Sequence, residues 1–473
     1  MGVELSVAGV STHMALRLVF AAVGTLLAPA LATAARGPAT ASHSTLQLSQ
    51  ARSDFAAASA GGAAVFGGGC SKGSSQGGKT GGGCNGVSAV IDIFRPSGSS
   101  AGAWEASAPA ALSVARGWAA VCSFGPQSDT VAFLGGGGAT EASFSTVLDL
   151  LSVRTGAVRS NHTALPAGRW GTACAASAAR LTFAGGKKWS STVPIMMRDE
   201  VYALDAGEPG TPPPTALTLV GRLSEPREDC GAVSYGATGS LFAGGWVSNT
   251  EPGNPSVVVD AFDTAAPGGA GTARSVWPRG LERPGPTQEW IGAVAYNDSL
   301  VYLADASTLY EVGSVDVFTG KAPPVTRPLP PELASAAGIP AARVQQNGVR
   351  IPGAVCFYAS TPSSVLACWS PATASWQMLR CSATHLAGAM TAVDGTVLIG
   401  GGYDKHGKLT SVVDVFQFGA GGDACDAHKD KAVCNADAAC IWCTSGAVPP
   451  ACNSLADASR LPPSVFACNK TAL

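Results

Sequence analysis

The chain has 473 residues, with 30 basic and 32 acidic side chains and a formal net charge of −2. Charged residues make up only 13%, about half the usual share in soluble proteins, and no long run of like charge occurs. That balance cannot neutralise a phosphate backbone and excludes nucleic acid as an expected partner; the 59 glycines and 31 prolines point instead to many short strands joined by tight turns.

Residues 16–35 read LRLVFAAVGTLLAPALATAA: a basic Arg17, an apolar stretch, the helix-breaking Pro29 and a small-residue end. With Ala32-Thr33-Ala34 as the cleavage site, residues 1–34 have the pattern of a secretory signal peptide. An uncleaved signal anchor is the alternative, because the apolar run approaches the length of a bilayer span. The expectation is a secreted protein, or one held in the lumen of the secretory pathway, with no stable membrane span after cleavage. The 14 cysteines fit disulfides in an oxidising compartment, and Asn161, Asn297 and Asn469 begin glycosylation sequons.

Beyond the leader, seven segments read as variants of one unit. Five carry a hydrophobic strand running into paired glycines: AAVFGGG (63–69), VAFLGGGG (131–138), LTFAGGK (181–187), LFAGGW (241–246) and VLIGGGY (397–403). The unit starting at Arg116 shows the plan: an apolar strand over 116–122, a second over 130–134 closed by Gly135 to Gly138, a third over 147–153 and a fourth near 157–159. Units starting at Arg52, Arg169 and Arg227 repeat it. Unit five replaces the diglycine by Ala304-Asp305, and unit six keeps only strand-like runs and Trp376. A repeat of roughly 50 residues with one buried strand per unit means a radial or stacked architecture. Strands covered on both faces become continuous apolar runs, so Phe66, Phe133, Phe183 and Phe242 are expected between sheets.

This arrangement resembles the kelch repeat, a four-stranded blade with a diglycine after its second strand and an aromatic near its fourth, as at Trp104, Trp277 and Trp376. The resemblance covers roughly residues 44–418. It implies an all-β, kelch-like β-propeller of seven blades, with six the alternative because units five and six depart from the pattern. The last unit stops at Phe418 without an outer strand. In kelch propellers this gap is commonly filled from the N-terminus, so residues 45–48 are expected to pair beside residues 412–418 and shield the open edge.

A glycine-rich linker over 419–424 leads to a cysteine module over 425–468, with Cys425, Cys434, Cys440, Cys443, Cys452 and Cys468. So short a unit cannot bury much core and needs staples; three disulfides are expected, in one of fifteen pairings. Its Cys440-Ile-Trp-Cys443 resembles the cysteine-rich module of plexins, semaphorins and integrins, though that family's additional C-x-x-C is missing. A zinc site at Cys440 and Cys443 is the competing idea. In the repeats, Cys70 with Cys84 and Cys356 with Cys368 are the disulfide candidates. Cys122, Cys174 and Cys230 are read as equivalent inner-strand positions, small buried hydrophobes rather than bonded pairs.

The candidate ligand-binding residues are the arginines ahead of the inner strands, Arg116, Arg169 and Arg227, with Arg350 and Arg380 as later counterparts and Trp118, Trp170 and Trp290 nearby. Planar cations beside aromatics at a channel mouth suit carboxylates, sulfates or sugars. The competing reading is structural, each arginine anchoring loop carbonyls or a neighbouring carboxylate such as Glu228 or Asp229. Catalytic readings come from resemblance alone. Copper radical oxidases on kelch-type propellers would need two histidine ligands, for which His385 and His406 share one unit, but no partnered tyrosine is identified. Sialic-acid mutarotases would need Arg, Glu and His in the channel, which Arg227, Glu228 and His385 could mimic. The Gly77-Gly-Lys-Thr80 stretch lacks full phosphate-loop spacing and reads as a surface loop. The expectation is a binding or adhesion protein recognising a protein or glycan through propeller loops, with no metal or cofactor; a carbohydrate-active enzyme using the channel is the alternative.

Overall fold

The computed structural model describes most of residues 41–468. Residues 1–40, 73–83, 264–273, 276–291, 314–323, 335–347, 419–424 and 469–473, with some shorter stretches, lie outside the description. With them go the leader, the Gly77 to Thr80 stretch, the glycine linker, Trp277, Trp290 and Asn469.

Seven antiparallel four-stranded sheets carry the repeats, the first with an extra short strand at Ala110–Ala111. Their inner strands are Ala56–Ala60, Ala120–Ser123, Ala173–Ala176, Gly231–Tyr235, Gly292–Asn297, Val349–Ile351 and Ala389–Val393. Each inner strand neighbours the next, and the seventh neighbours the first. The ring is therefore closed, and the fold is a seven-bladed β-propeller. Its core lies between blades: Phe133 of blade 2 packs on Ile91 and Ile93 of blade 1, and Phe242 of blade 4 on Val201 and Ala203 of blade 3. The second strands, Ala63–Gly67, Thr130–Leu134, Gly239–Ala243 and Thr396–Gly400, are buried at every residue, as two-faced cover demands.

The paired glycines join one blade to the next. Gly135 lies at φ +66°, and a Cβ there would stand 2.6 Å from the Arg169 carbonyl oxygen of blade 3. Its successor Gly136 donates its N–H to that same oxygen at 2.8 Å. The same bond recurs from Gly69 to Arg116, Gly186 to Arg227 and Gly402 to Arg52, at 2.8–2.9 Å. A side chain would push the blades apart, and a right-handed backbone would turn the N–H away. Where Ala304 stands in place of glycine in blade 5, it ends the strand Leu300–Ala304.

Strand Ala41–Gln47 completes blade 7 by pairing antiparallel with Val412–Phe418, from Ala41 opposite Phe418 to Gln47 opposite Val412. It begins four residues earlier than the short apolar segment 45–48 suggested, because the ladder needs only backbone groups, which polar residues supply equally well. His43 stacks on Phe416 and its Nε2 lies 2.6 Å from Asp414 Oδ1.

In the C-terminal module, Asp430 caps the helix Lys431–Ala436 by accepting from the Ala432 and Val433 N–H groups. Cys440–Ser445 pairs with Ala451–Ser454 and with Phe466–Cys468. The disulfides are Cys425–Cys440, Cys434–Cys452 and Cys443–Cys468. Cys440 and Cys443, considered above as a zinc pair, each bond elsewhere and have no thiolate to offer. In the propeller Cys70–Cys84 and Cys356–Cys368 are bonded as expected. Cys122 and Cys174 correct the sequence reading: they form a disulfide between the inner strands of blades 2 and 3. Cys230 is not their equivalent. It sits one residue ahead of its strand Gly231–Tyr235, against the diglycine (its sulfur is 3.1 Å from where a Gly245 Cβ would be), and is a buried thiol outside any disulfide.

Candidate functional site at the channel mouth

Each arginine ahead of an inner strand is buried in an ion pair within its own blade. Arg116 donates to Asp149 at 2.8 Å and to the Val114 and Phe133 carbonyls. Arg227 pairs with Asp260 at 2.8 Å and with the Phe242 carbonyl, Arg52 with Asp92 at 2.6 Å and the Phe66 carbonyl, and Arg169 with Glu200 at 3.2 Å. All four arginines are at most 1% exposed. The acid is always on the third strand, not Glu228 or Asp229 as the sequence suggested. It also accepts an N–H from the loop ahead of the arginine, as Asp149 does from Ser113 and Asp260 from Ser224. Burial works against the charge of Asp149, but Arg116, Ser113 and Ser160 outweigh it and hold the carboxyl below its ordinary range. These guanidiniums clasp strand two to strand three and do not line the channel.

In blade 7 the place of the arginine is taken by His385. Its Nε2 lies 2.7 Å from Asp414 and its Nδ1 2.8 Å from the Gly401 carbonyl. Burial opposes the charge of Asp414, yet hydrogen bonds with His385, Ser382 and His43 hold its carboxyl far below the usual carboxylate range. Arg350 and Arg380, offered above as later counterparts, are exposed on Val349–Ile351 and Ser375–Arg380. A mutarotase-like set of Arg227, Glu228 and His385 does not assemble in the channel, since Arg227 and His385 are each locked inside their own blades. His406 is exposed on a turn held by Asp404.

The residues after each arginine are the ones that reach the mouth. The second position downstream has positive φ in five blades: Asp54 (+52°), Trp118 (+52°), Gly171 (+67°), Asp229 (+53°) and Ala387 (+55°). Backbone bonds link them around the ring, Asp54 N–H to the Ala387 carbonyl, Trp118 N–H to Asp54, and Asp229 N–H to Gly171, at 2.8–2.9 Å. Left-handed backbone costs a non-glycine residue about 1–2 kcal/mol, and such strain concentrates at functional positions. Here it brings an indole and two carboxylates into one annulus.

Around Trp118 the groups are close and fixed. Its Nε1 donates to Asp54 Oδ1 at 3.1 Å, its ring lies 5.0 Å from that of Trp170, and it covers Gly137, where a Cβ would meet the indole at 3.2 Å. Lys187 Nζ stands 4.1 Å from the Trp170 ring and 2.6 Å from Glu228 Oε1. Trp170, Lys187 and Glu228 are buried, whereas Asp54, Trp118 and Asp229 are partly exposed. The loop ahead of a first strand and the connection after a second lie at the same end of an antiparallel blade, and the bridges Trp170 to Lys187 and Glu228 to Trp246 join the two. Hairpins Lys187–Ser190 with Val193–Met197, and Trp246–Ser248 with Asn254–Pro255, therefore rise at this mouth from blades 3 and 4. The Cys70–Cys84 bridge sits beside Gly117, the neighbour of Trp118. Trp118 and Trp170 lie side by side, with Asp54 and Lys187 as partners that the sequence reading did not single out, while Glu228, read there as a partner of an arginine, binds Lys187 instead. The only sequence signal for Asp54 and Asp229 was their fixed offset of two from Arg52 and Arg227.

The chain matches no family model and no curated protein. Among solved structures it is similar to one described as "Structure of YjhT", at 11% identity and a TM-score of 0.44, over 78% of this chain and 95% of that one.

Proposed function

We propose that the protein is a secreted or cell-surface binding or adhesion protein of kelch-like type, which engages a protein or glycan at the mouth formed by Asp54, Trp118, Trp170 and Asp229. The observation that carries this reading is the left-handed backbone at Asp54, Trp118 and Asp229, a cost that the glycine filling the same place in blade 3 avoids. The buried Lys187–Glu228 pair and the Asp54–indole bond support it by fixing the aromatic groups before any ligand arrives. Six disulfides suit an oxidising compartment, and Asn161 and Asn297 lie on strands of blades 2 and 5, with Asn161 partly exposed and Asn297 exposed.

The test is an array of extracellular glycoproteins, printed native and enzymatically deglycosylated, probed with the purified chain and with Trp118→Ala. Binding to a subset of spots, lost at least tenfold in the variant at unchanged melting temperature, is the expected result. An identical pattern for both proteins removes the mouth from the account.

A further inference from the structure

The blades that begin at Arg52, Arg116, Arg169 and Arg227 are each held by a guanidinium on an acid of the third strand. Blade 7, where the ring closes on its own first strand, has the imidazole of His385 in that place. An imidazole changes charge between about pH 5 and 8, a range across which a guanidinium stays charged.

The surroundings of His385 fix what its ring must carry. Its Nδ1 stands 2.8 Å from the Gly401 carbonyl oxygen and its Nε2 2.7 Å from Asp414 Oδ2. A carbonyl oxygen only accepts, and so does an ionised carboxylate. Burial works against the charge of Asp414, but His385, Ser382 and His43 keep it ionised. Both ring nitrogens therefore have to donate, which only the imidazolium does. The neutral ring has one bare nitrogen in either tautomer, and sets a lone pair against an oxygen. His43 is different: its Nε2 lies 2.6 Å from Asp414 Oδ1, and a neutral ring protonated at Nε2 makes that bond equally well. The other titratable groups facing His385 are Tyr358, whose hydroxyl accepts the His385 N–H at 2.9 Å, and Cys381, beside Tyr358 and Asp414. Burial pushes the phenol and the thiol far above their ordinary ranges, so neither titrates where an imidazole does.

We propose that His385 makes the seam of the propeller a pH-sensitive latch, closed on the imidazolium and slackened when that ring loses its proton. Asp414 transmits the change. It sits on Val412–Phe418, the strand on which Ala41–Gln47 pairs, and it holds His43 and the N–H groups of Ser382 and Ala383 besides His385. The direction follows from the charge. The stabilisation is fully present below about pH 6.5, where a histidine of the unfolded chain is charged too, and is lost as pH rises and the folded ring gives up its proton.

The experiment is amide hydrogen exchange of the purified chain at about pH 5.5 and about pH 9, on either side of the imidazole range, read by mass spectrometry and corrected for the chemical exchange rate. Peptides covering residues 41–47 and 382–388 should lose protection severalfold at the higher pH. The matching peptide of blade 2, residues 113–119, is held by Arg116 and should keep its protection. In His385→Arg the blade 7 peptides should be protected equally at both pH values, whereas in His43→Gln the pH effect should persist. Equal behaviour of blades 2 and 7 in the wild type overturns the proposal, even where His385→Arg fails to fold. A pH effect that survives in His385→Arg and vanishes in His43→Gln places the titration on the half-exposed ring and overturns it as well.

Discussion

Replacing Arg116 by methionine separates the two roles that an arginine in this position can have. The guanidinium is 1% exposed and binds Asp149 and two carbonyls, while the residue's own carbonyl receives Gly69 and survives the substitution. Asp149, wholly buried, would keep its bonds from Ser113 and Ser160 but lose its counter-charge. Breaking a buried pair from one side costs about 3–5 kcal/mol. A ring of roughly 380 residues unfolds with an entropy of about 0.8 kcal/mol/K, so Tm should fall by about 4–6 °C. In the double variant Arg116→Met/Asp149→Leu both charges are gone, and at least half of the lost stability should return. Scanning calorimetry of the wild type, both single variants and the double at pH 7 measures this. A single-variant shift under 1 °C, or a double variant as unstable as the sum of the singles, refutes the clasp. Glycoprotein-array binding should be unchanged in folded Arg116→Met, the opposite of what a ligand-binding arginine requires.

The other predictions concern closure, covalent bonds and acid. Deleting residues 36–50 removes the strand Ala41–Gln47 and its ladder on Val412–Phe418; Tm should drop sharply and soluble aggregates should appear as the edge opens, and an unchanged Tm excludes the closure. Non-reducing peptide mapping should recover a Cys122–Cys174 cross-link, and Cys122→Ser/Cys174→Ser should cost up to about 4 kcal/mol by loop entropy for a separation of 52 residues; finding both thiols alkylatable would refute the bond. Cys230, whose pKa burial pushes up to about 11 despite Arg227 nearby, should resist iodoacetamide until the chain is unfolded. Asp149 and Asp414 have folded pKa values below their unfolded value of about 3.9. Their contribution is thus complete above about pH 5 and disappears as pH falls through 4 and lower. Asp414→Asn should flatten the decline of the urea midpoint between pH 5 and pH 2.5, and an equally steep decline would count against the His43–Asp414–His385 arrangement.

The blade plan was legible because its main determinant is local. Phe133 followed by Leu134 and four glycines describes a strand covered on both faces and a turn that no side chain can make, all within eight residues. Arg116 was legible as a repeated feature but not as a clasp, because its partner lies 33 residues on. The acid inside the apolar run Leu148-Asp149-Leu150 was the available signal, and it recurs at Asp92, Asp260 and Asp414, while Glu200 follows the charged pair Arg198-Asp199 at the start of its strand. The exchange of Arg for His385 in blade 7 hid the equivalence and made the exposed Arg350 and Arg380 look like counterparts. Cys122 and Cys174 were misread for a geometric reason: neighbouring blades converge at the axis, so two residues on successive inner strands come within bonding range although 52 positions apart. Asp54 and Trp118 differ in chemistry but share a backbone conformation, a kind of repeat that residue identity does not display.

Sealing the circle with its own first strand has a consequence for synthesis. His43 must find Asp414, 371 positions later, and at translation rates of about 5–20 residues per second that means a wait of roughly 20–75 s. Six blades can stack while the ribosome still holds the tail, with the opening strand left as a loose end throughout. Any premature stop before Phe418 would release a crescent with two bare flanks, so quality control of this molecule amounts to checking whether its earliest segment has been claimed by its latest.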